Sequence, residues 1–499
     1  WEGGVEDTAY TCFVLLKLEE RAYELGYDSP FDQDYPYWEN VVAGWQYVFN
    51  SSRTLKQTPL GLQDHTALPG TGTVDDPDTN SNGYGVYFVG SGHPVYTTGV
   101  CLIALEASGT PDRANDGGLD FDSNGTDTFK ELAQEAADWL AWAQADSGIF
   151  EGGWSYQAKN NLGDHADQSN SGFAVMGLAA AEAFSCTVPS WVKTELNVWI
   201  GAIQYTGGGD DDGGSRYTPI SMWVNQYKTG HLIMQMVFVG DDTSTSRFQD
   251  ALAYIEWNWR DADDGCSDGQ DGWGYNVSPA SYLAMFSLMK GLVYAGIDLL
   301  DTDGDTSRDD DWFNQEPPVT PAEDFASVLV AQQNADGSWS GCCWGSPIMC
   351  TVWSLLTLEK ISPEPPGSIT INKMTDRPEL SGEFEFIGRD VNSPDEEPIA
   401  FYLSHGDSLT ETEIPPGDYS VVESYLRLWQ LTDVVCTGGD YESIPGGVLI
   451  HLDAGEDVIC TFNNKSEVPI PSLTHWGVII GFALLMGAGL FRIRKKRKN

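Results

Sequence analysis

Apolar residues return with a helical period along most of the first 360 positions. The runs DTAYTCFVLLKLEE, TTGVCLIALEASG, FKELAQEAADWLAWAQ, GFAVMGLAAAEAF, GHLIMQMVF, SYLAMFSLMKGL and IMCTVWSLLTLEK put apolar side chains three and four residues apart, the spacing of one helix face. Between them stand Gly-rich turns that carry an aromatic residue: GGWSY, GGSRY, DGWGY and DGSW, with YGVYF and an initial GG in the equivalent places. This makes about six units of roughly 50 to 70 residues, a period that signals stacked helical pairs. Each pair has an apolar face it cannot bury alone, so successive pairs are predicted to close into a ring. Glycine permits the tight corners, and the aromatic ring plugs the gap between neighbouring helices.

The texture changes at SPEPPG, Ser362 to Gly367, a proline-rich linker. Beyond it apolar and polar residues alternate in strand fashion through SITINK, GEFEFIG, AFYLS, YSVVES, WQLTDVVC, VLIHL and DVICTFNN, which predicts a β-sandwich. The predicted organisation is therefore an all-α ring over 1–361, a linker over 362–367, an all-β sandwich over 368–465 and a tail over 466–499. In that tail Trp476 to Phe491 is free of charge and is stopped by RIRKKRK, so positive-inside logic predicts a single C-terminal transmembrane helix with the body of the protein outside. The run is short for a span, and a buried core helix is the other reading.

Composition narrows the function classes. A chain of 499 residues with 41% hydrophobic residues and 18 Trp is globular and large enough for two to four domains. Its 74 Asp and Glu against 26 Lys and Arg repel nucleic-acid phosphates and suit high salt or divalent cations, which sets nucleic acid aside as a partner. The chain begins at Trp1, and residues 1 to 20 already read as mid-repeat, so an N-terminally truncated ring is expected.

The stretch QQNADGSW, Gln332 to Trp339, resembles the QW repeat of the terpenoid cyclase and protein prenyltransferase superfamily. The resemblance covers residues 1 to about 361 and implies an α/α toroid of inner and outer helices. Squalene-hopene-type cyclases protonate an alkene with an aspartate in D-x-D-D-T-A, a carboxylic acid kept neutral in an apolar pocket. The nearest stretch is GVEDTA, where Gly4 replaces the first Asp, Glu6 takes the donor position, and Asp7, Thr8 and Ala9 match. Glu6 and Asp7 are thus the catalytic candidates, with Asp7 as cap of the following helix the alternative. Prenyltransferases hold zinc with Asp-x-Cys and a later His. Asp264 and Cys266 match, but GSPIMCTVWSLL has no His and zinc needs at least three protein ligands, so zinc is not expected. His165 and His231 start other inner helices and read as plain hydrogen-bonding residues. The Cys-Gly-Glu-Gln thioester of complement-like toroids is absent.

The turn residues Trp154, Tyr156, Asp164, His165, Asp167, Trp273 and Tyr275 are expected at the mouth of the ring cavity as ligand-binding positions. DHADQS offers two carboxylates and an imidazole for acid–base chemistry or a polar ligand, while capping by Asp167 or Ser169 is the bland reading. Calcium is the cofactor suggested by DFDSNGTDTFKE, which fits the EF-hand loop template: Asp120, Asp122 and Asn124 as oxygen ligands, Gly125 for the turn, Thr126 through its carbonyl and Glu131 bidentate. No clear helix precedes this loop, and a fortuitous acidic loop is the alternative in so acidic a chain. DTDGDTSRDDDW, from Asp301, begins the same way but has Thr306 in place of Gly and Trp312 in place of Glu.

In the β segment, GSITINK, IPPGDYSVVES and VICTFNN resemble the prealbumin-like SpaA or Cna-B type domains that serve as stalks on bacterial surface proteins. Some of these form a Lys–Asn isopeptide promoted by a buried acid. A period of two places Lys373 with Ile369 and Ile371, Glu423 with Tyr419 and Val421, and Asn464 with Cys460 and Phe462, so parity permits the crosslink, and Asn463 points the other way. An ordinary surface Lys with a strand-end Asn is the alternative. Cys436 and Cys460 are the only cysteines in this segment, and an exported setting favours their disulfide. Of Cys12, Cys101, Cys186, Cys266, Cys342, Cys343 and Cys350, several fall on apolar helix faces and read as buried thiols, while Cys266 is open to pairing with Cys342 or Cys343.

Finally, IPSLTHWG, with Ile470, Pro471, Ser472, Leu473, Trp476 and Gly477, resembles the bacterial IPTL-type C-terminal sorting signal, with Ser472 in place of Thr. That implies export, handling by sorting machinery and at least transient anchoring in a membrane. The functional expectation is an exported bacterial cell-surface protein whose toroid binds an extracellular ligand or partner and is stabilised by calcium. The alternative is an enzyme of the terpenoid cyclase-like superfamily that uses the ring cavity for acid–base chemistry. A deep aromatic pocket with Glu6 or Asp7 pointing inward favours the cyclase; a shallow, acidic, wet bowl favours binding.

Overall fold

The computed structural model describes residues 7–50, 54–64, 74–90, 92–121, 125–159, 165–261, 272–305, 307–315, 318–341, 346–360, 367–380, 382–391, 398–414, 417–452 and 456–467. The chain divides into two compact units, Trp1–Pro366 and Gly367–Asn499.

Among the described residues, unit 1 is built on eleven α-helices: α1 (Asp7–Glu24), α2 (Trp38–Val48), α3 (Pro94–Ala107), α4 (Phe129–Ala143), α5 (Gln168–Ala183), α6 (Ser190–Ile203), α7 (Gln226–Phe238), α8 (Ser246–Trp257), α9 (Tyr282–Tyr294), α10 (Phe325–Gln332) and α11 (Pro347–Leu358). The odd-numbered helices pack each against the next, and α11 returns to α1. The even-numbered helices lie against this cycle. The sequence explains the division of labour. α3, α5, α7 and α9 are buried along almost their whole length, polar positions such as Gln168, Gln226 and Gln235 included. α6 buries one face, Val192, Glu195, Leu196, Trp199, Ile200 and Ile203, with members three and four residues apart.

Two features let the odd helices come so close. Glycines remove side chains where backbones meet: a Cβ on Gly177 of α5 would lie 2.6 Å from the Gly99 Cα of α3, and one on Gly230 of α7 would lie 2.5 Å from the Ser287 carbonyl oxygen of α9. Aromatic rings then fill the middle. Phe13 of α1 meets Tyr96 of α3 at 6.5 Å, Phe173 of α5 at 6.1 Å, Phe286 of α9 at 5.9 Å and Trp353 of α11 at 6.2 Å between centroids, the last three edge to face.

The recurring corner has a definite job. Gln144, Gln204 and Gln333 directly follow α4, α6 and α10, and their side-chain amides donate to the carbonyls of Gly152 (2.9 Å), Gly213 (2.9 Å) and Gly337 (3.0 Å). Those three glycines have φ of 78°, 86° and 86°, the left-handed region that disfavours a Cβ. Gln144 and Gln204 donate also to Val192 O of α6 and Arg247 O of α8, so each corner ties one outer helix to the next. The corner indoles Trp154 and Trp339 donate back to Leu140 O and Leu329 O, both at 2.8 Å. In the second copy Ser215 stands where the Trp would be.

Short strands decorate unit 1: β1 (Leu55–Pro59), β2 (Gln63–Asp64), β3 (Val74–Asp75), β4 (Tyr84–Phe88), β5 (Leu299–Leu300) and β6 (Asp310–Asp311), paired antiparallel as β1–β4, β2–β3 and β5–β6. YGVYF, read as a Gly/aromatic corner, is therefore strand β4: its aromatics alternate along an extended chain. A second correction concerns the cysteines. Cys12 and Cys101 form a disulfide joining α1 to α3, with Cα atoms 5.2 Å apart, because the cyclic packing brings two apolar faces together that are remote in sequence. Cys350 is also disulfide-bonded. Cys186 is a buried free thiol, and burial pushes its pKa up to about 12.

Unit 2 consists of β7 (Gly367–Thr375), β8 (Phe384–Asp390), β9 (Ile399–Leu403), β10 (Ser408–Ile414), β11 (Gly417–Glu423), β12 (Trp429–Thr437), β13 (Asp440–Ile444), β14 (Gly447–Leu452) and β15 (Asp457–Ser466). They form two sheets of order β10-β7-β15-β12 and β13-β14-β11-β8-β9, with β7 and β15 parallel neighbours. The alternating inward residues Ile369, Ile371, Phe384, Phe386, Val421, Val448, Ile450, Val458 and Phe462 make one core. Cys436 and Cys460, opposite each other on β12 and β15, are joined by a disulfide. Among the described residues no helix is long and apolar enough to cross a membrane; Trp476–Phe491 and the sorting-signal residues lie outside them.

Candidate functional site

The sharpest chemical arrangement lies inside unit 2. Strand alternation turns Lys373 of β7, Glu423 of β11 and Asn464 of β15 toward the core, each continuing a run of inward positions. Lys373 is fully buried, and Glu423 and Asn464 are 8% and 4% exposed. Lys373 Nζ donates to Glu423 Oε2 at 2.7 Å and to Asn464 Oδ1 at 2.6 Å, while Asn464 Nδ2 donates to Glu423 Oε1. Phe384 sits 4.2 Å from Nζ and keeps the amine in an apolar wall. Burial lowers the Lys373 pKa, against the opposing pull of the Glu423 hydrogen bond and charge. An amine pushed toward its neutral form, a carboxyl group and a primary amide thus share one dry point. The carboxyl touches both nitrogens, the one that attacks and the one that departs in an amide exchange.

The positions predicted at the ring mouth do not form one site. Trp154 and Trp273 are fully buried, the first pinned by its bond to Leu140 O and the second packed on Trp259 at 5.4 Å. Asp167 is fully buried and caps α5, accepting from Asn170 N at 3.1 Å and Ser169 Oγ at 2.6 Å. His165, half exposed, reaches it at 3.6 Å. Tyr156 is exposed; its hydroxyl is 3.1 Å from that of Tyr217, and its ring is 4.5 Å from His93. Sequence reading missed His93 and Tyr217 because they come from other helical repeats of unit 1. Tyr275 is partly buried 6.3 Å from Trp273. Asp164 and Glu6 lie outside the described residues, and Asp7 is the first residue of α1. His231 is buried beside Ser287 at 3.2 Å, and burial depresses its pKa to about 3, so it is a neutral internal hydrogen-bonding group.

In the calcium loop, Asp120 and Thr126 are exposed and Asp122 and Asn124 lie outside the described residues. Glu131 Oε2 accepts from Thr128 N at 2.6 Å while Thr128 Oγ1 accepts from Glu131 N at 3.2 Å, a capping box that turns the carboxylate to the start of α4. Farther on, Asp301, Asp303 and Asp310 bring carboxylate oxygens within 4.8 Å of one another, and Trp312 is buried with its indole on Ile297 O.

Several acids of unit 1 are buried. Burial, the largest cause in each case, pushes Asp138 up to about 8, Glu195 to about 8 and Glu135 to about 7. Each holds in the folded protein a proton that the unfolded chain has released above about pH 4–5. Their stabilisation is complete below that range and is lost as pH rises through 7 to 8. The unfolding midpoint of unit 1 is therefore expected to fall between pH 5 and pH 8, and Asp138→Asn is expected to flatten the fall. Circular dichroism melts of both proteins across that range check this; equal slopes would contradict it.

No protein-family model and no curated protein matches the chain. Among solved structures it is similar in part to a bacterial adhesin from Mobiluncus mulieris that contains intramolecular disulfide, isopeptide and ester bond cross-links, at 19% identity over 21% of this chain and 42% of that one, with a TM-score of 0.17. It is also similar to the major pilin protein T-13 of Streptococcus pyogenes, at 15% identity over 20% of this chain and 45% of that one, with a TM-score of 0.17. The chain thus matches less than half the length of either, and no function is carried across from them.

Proposed function

We propose that the protein is an exported bacterial cell-surface protein in which unit 2 is a self-crosslinking stalk and unit 1 an α/α toroid that presents its outer surface to an extracellular ligand or partner. The observation that carries this reading is the buried contact of Lys373, Glu423 and Asn464. In the proposed step the uncharged Lys373 Nζ attacks Asn464 Cγ. A new C–N bond forms as the old one breaks, the proton from Nζ passes to Glu423 and on to the departing nitrogen, and one ammonia leaves. Nothing else is consumed, so export into any aqueous space suffices. A covalent brace inside a small sandwich suits a domain that must survive outside the cell.

The toroid reading is supported by the cyclic packing of α1, α3, α5, α7, α9 and α11. Its centre is occupied by Phe13 and the rings around it, which favours binding on the rim or outer face over cyclase chemistry in a central cavity. Calcium in the loop Asp120–Glu131 belongs to the same proposal and requires the Glu131 carboxylate to leave Thr128. The segment from Ile470, with its hydrophobic run and basic end, is assigned to sorting and membrane retention.

Intact-mass measurement of the full chain tests the central claim. The protein is expected to be lighter than its disulfide-bonded sequence mass by one ammonia, and a tryptic peptide joining Lys373 to Asn464 should appear. The full unmodified mass would refute the crosslink.

A further inference from the structure

A cavity of about 480 Å³ opens between α4 and the β3–β4 loop, lined by Asn80, Asn82, Asp127, Glu131, Glu135 and their neighbours. The loop carries an oxygen-bearing side chain at every second position: Asp76, Asp78, Asn80 and Asn82. It is latched to α4 twice. Thr79 N and Oγ1 bond Asp138 at 3.1 and 2.9 Å, and the Asn80 and Asn82 side-chain amides both reach Glu135 Oε1, at 2.6 and 2.5 Å.

The decisive atom is the other oxygen of that carboxyl group. Glu135 is only 4% exposed and lines the cavity, yet its Oε2 has no hydrogen-bond partner among the described residues. A buried carboxylate oxygen without a donor is destabilising, more so when ionised. Asp127 adds another acidic side chain to the same wall. Lys130 is the one basic residue among the described residues of the wall. Apart from the apolar Phe121, the rest of the wall carries side-chain oxygen, and the Asn80 and Asn82 oxygens, which now accept from Asn82 N at 3.2 Å and Tyr84 N at 2.8 Å, give up those bonds if their amides turn over.

We propose that this cavity is a calcium site, with Glu135 as the anchoring ligand and the side-chain oxygens of Asn80 and Asn82 joining it once their amides turn over. Carboxylate and amide oxygens without sulfur or imidazole are the donor set of a hard divalent cation. The ion would replace the two amide donors now crowded on Oε1 and give Oε2 the partner it lacks. It would also fasten the β3–β4 loop to α4. Asp127 and Glu131 of the loop Asp120–Glu131 share the cavity wall, but none of the three proposed ligands Glu135, Asn80 and Asn82 belongs to that loop, so variants on either side tell the two readings apart.

The test is calorimetric titration of calcium chloride into the full-length protein at pH 7, for the wild type, Glu135→Gln, Asn82→Ala and Asp120→Ala. The wild type should bind calcium. Glu135→Gln, which keeps the side-chain shape, should weaken this binding at least tenfold. Asn82→Ala, on a partly exposed loop position, should weaken it severalfold, and Asp120→Ala should leave it intact. Absence of wild-type binding at millimolar calcium would overturn the site, as would unchanged affinity in both Glu135→Gln and Asn82→Ala. Loss of all binding in Asp120→Ala alone would overturn it too, and would leave the 120–131 loop as the calcium site.

Discussion

Replacing Glu423 with Ala is expected to leave Lys373 and Asn464 unjoined and to lower the unfolding temperature of unit 2 by roughly 15–30 °C. Two effects add. The crosslink would close a loop spanning 91 positions, and a covalent closure of that length restricts the unfolded chain by an amount worth about 4–5 kcal/mol in the chain-entropy account. The Cys436–Cys460 bridge lies inside this loop and shortens its free path by 24 positions, which lowers the figure by only about 0.3 kcal/mol, so about 4 kcal/mol is the expected net. The variant also strands the Lys373 amine in an apolar wall beside Phe384 without its acid, which adds a desolvation cost. Lys373→Met separates the two: it removes the crosslink and the buried amine together and should lose less than Glu423→Ala. Calorimetry of the full chain, paired with intact mass, reads both quantities. A Glu423→Ala protein that has lost one ammonia and melts like the wild type would contradict the role given to this carboxyl group.

The second large effect belongs to unit 1. Gly99→Ala should destabilise it by about 3 kcal/mol, whereas Gly201→Ala should stabilise it by about 0.5–1 kcal/mol. Both glycines sit inside helices, where propensity alone favours alanine. At Gly201 of α6 the new methyl meets nothing within 4 Å, so propensity decides the sign. At Gly99 of α3 it would lie 2.7 Å from the Phe173 carbonyl carbon of α5, and backbone cannot turn aside as a side chain does. The two inner helices must then part, taking the packing around Phe13 with them. Opposite signs in chemical denaturation would support the close packing of α3 on α5; equal signs would remove the reason offered for the glycines.

The parts of the fold that the sequence reveals are those with a one-sided burial pattern. The runs that became α1, α3, α5, α7, α9 and α11 carry dense apolar stretches, and β7 and β15 alternate along their length because one side meets the core. β10 (SLTETEI) and β13 (DYESI) were invisible to that signal. They are edge strands with mostly exposed residues and few apolar side chains; β9 (IAFYL) and β12 (WQLTDVVCT) lie at the other edges but carry enough apolar residues to be seen. Parity along a strand is a local property, so Lys373, Glu423 and Asn464 were nameable in advance. The Cys12–Cys101 pair and the convergence of Asn80 and Asn82 on Glu135 depend on which helices and loops become neighbours. No spacing within either segment encodes that. At the ring corners the aromatic residues were legible as a pattern but not as a role: Trp154 looks inward to the backbone of α4, and Tyr156, two residues later, looks out.

The parallel pairing of β7 with β15 makes the first and last strands of unit 2 direct neighbours. A tether pulled at Gly367 and at Ser466 therefore loads these two strands in shear along their length. With Lys373 bonded to Asn464, tension would run from one to the other through a single amide, and the chain between them would carry no load. The sandwich could be tugged without lengthening, and its disulfide and remaining strands would sit in the slack part of the line.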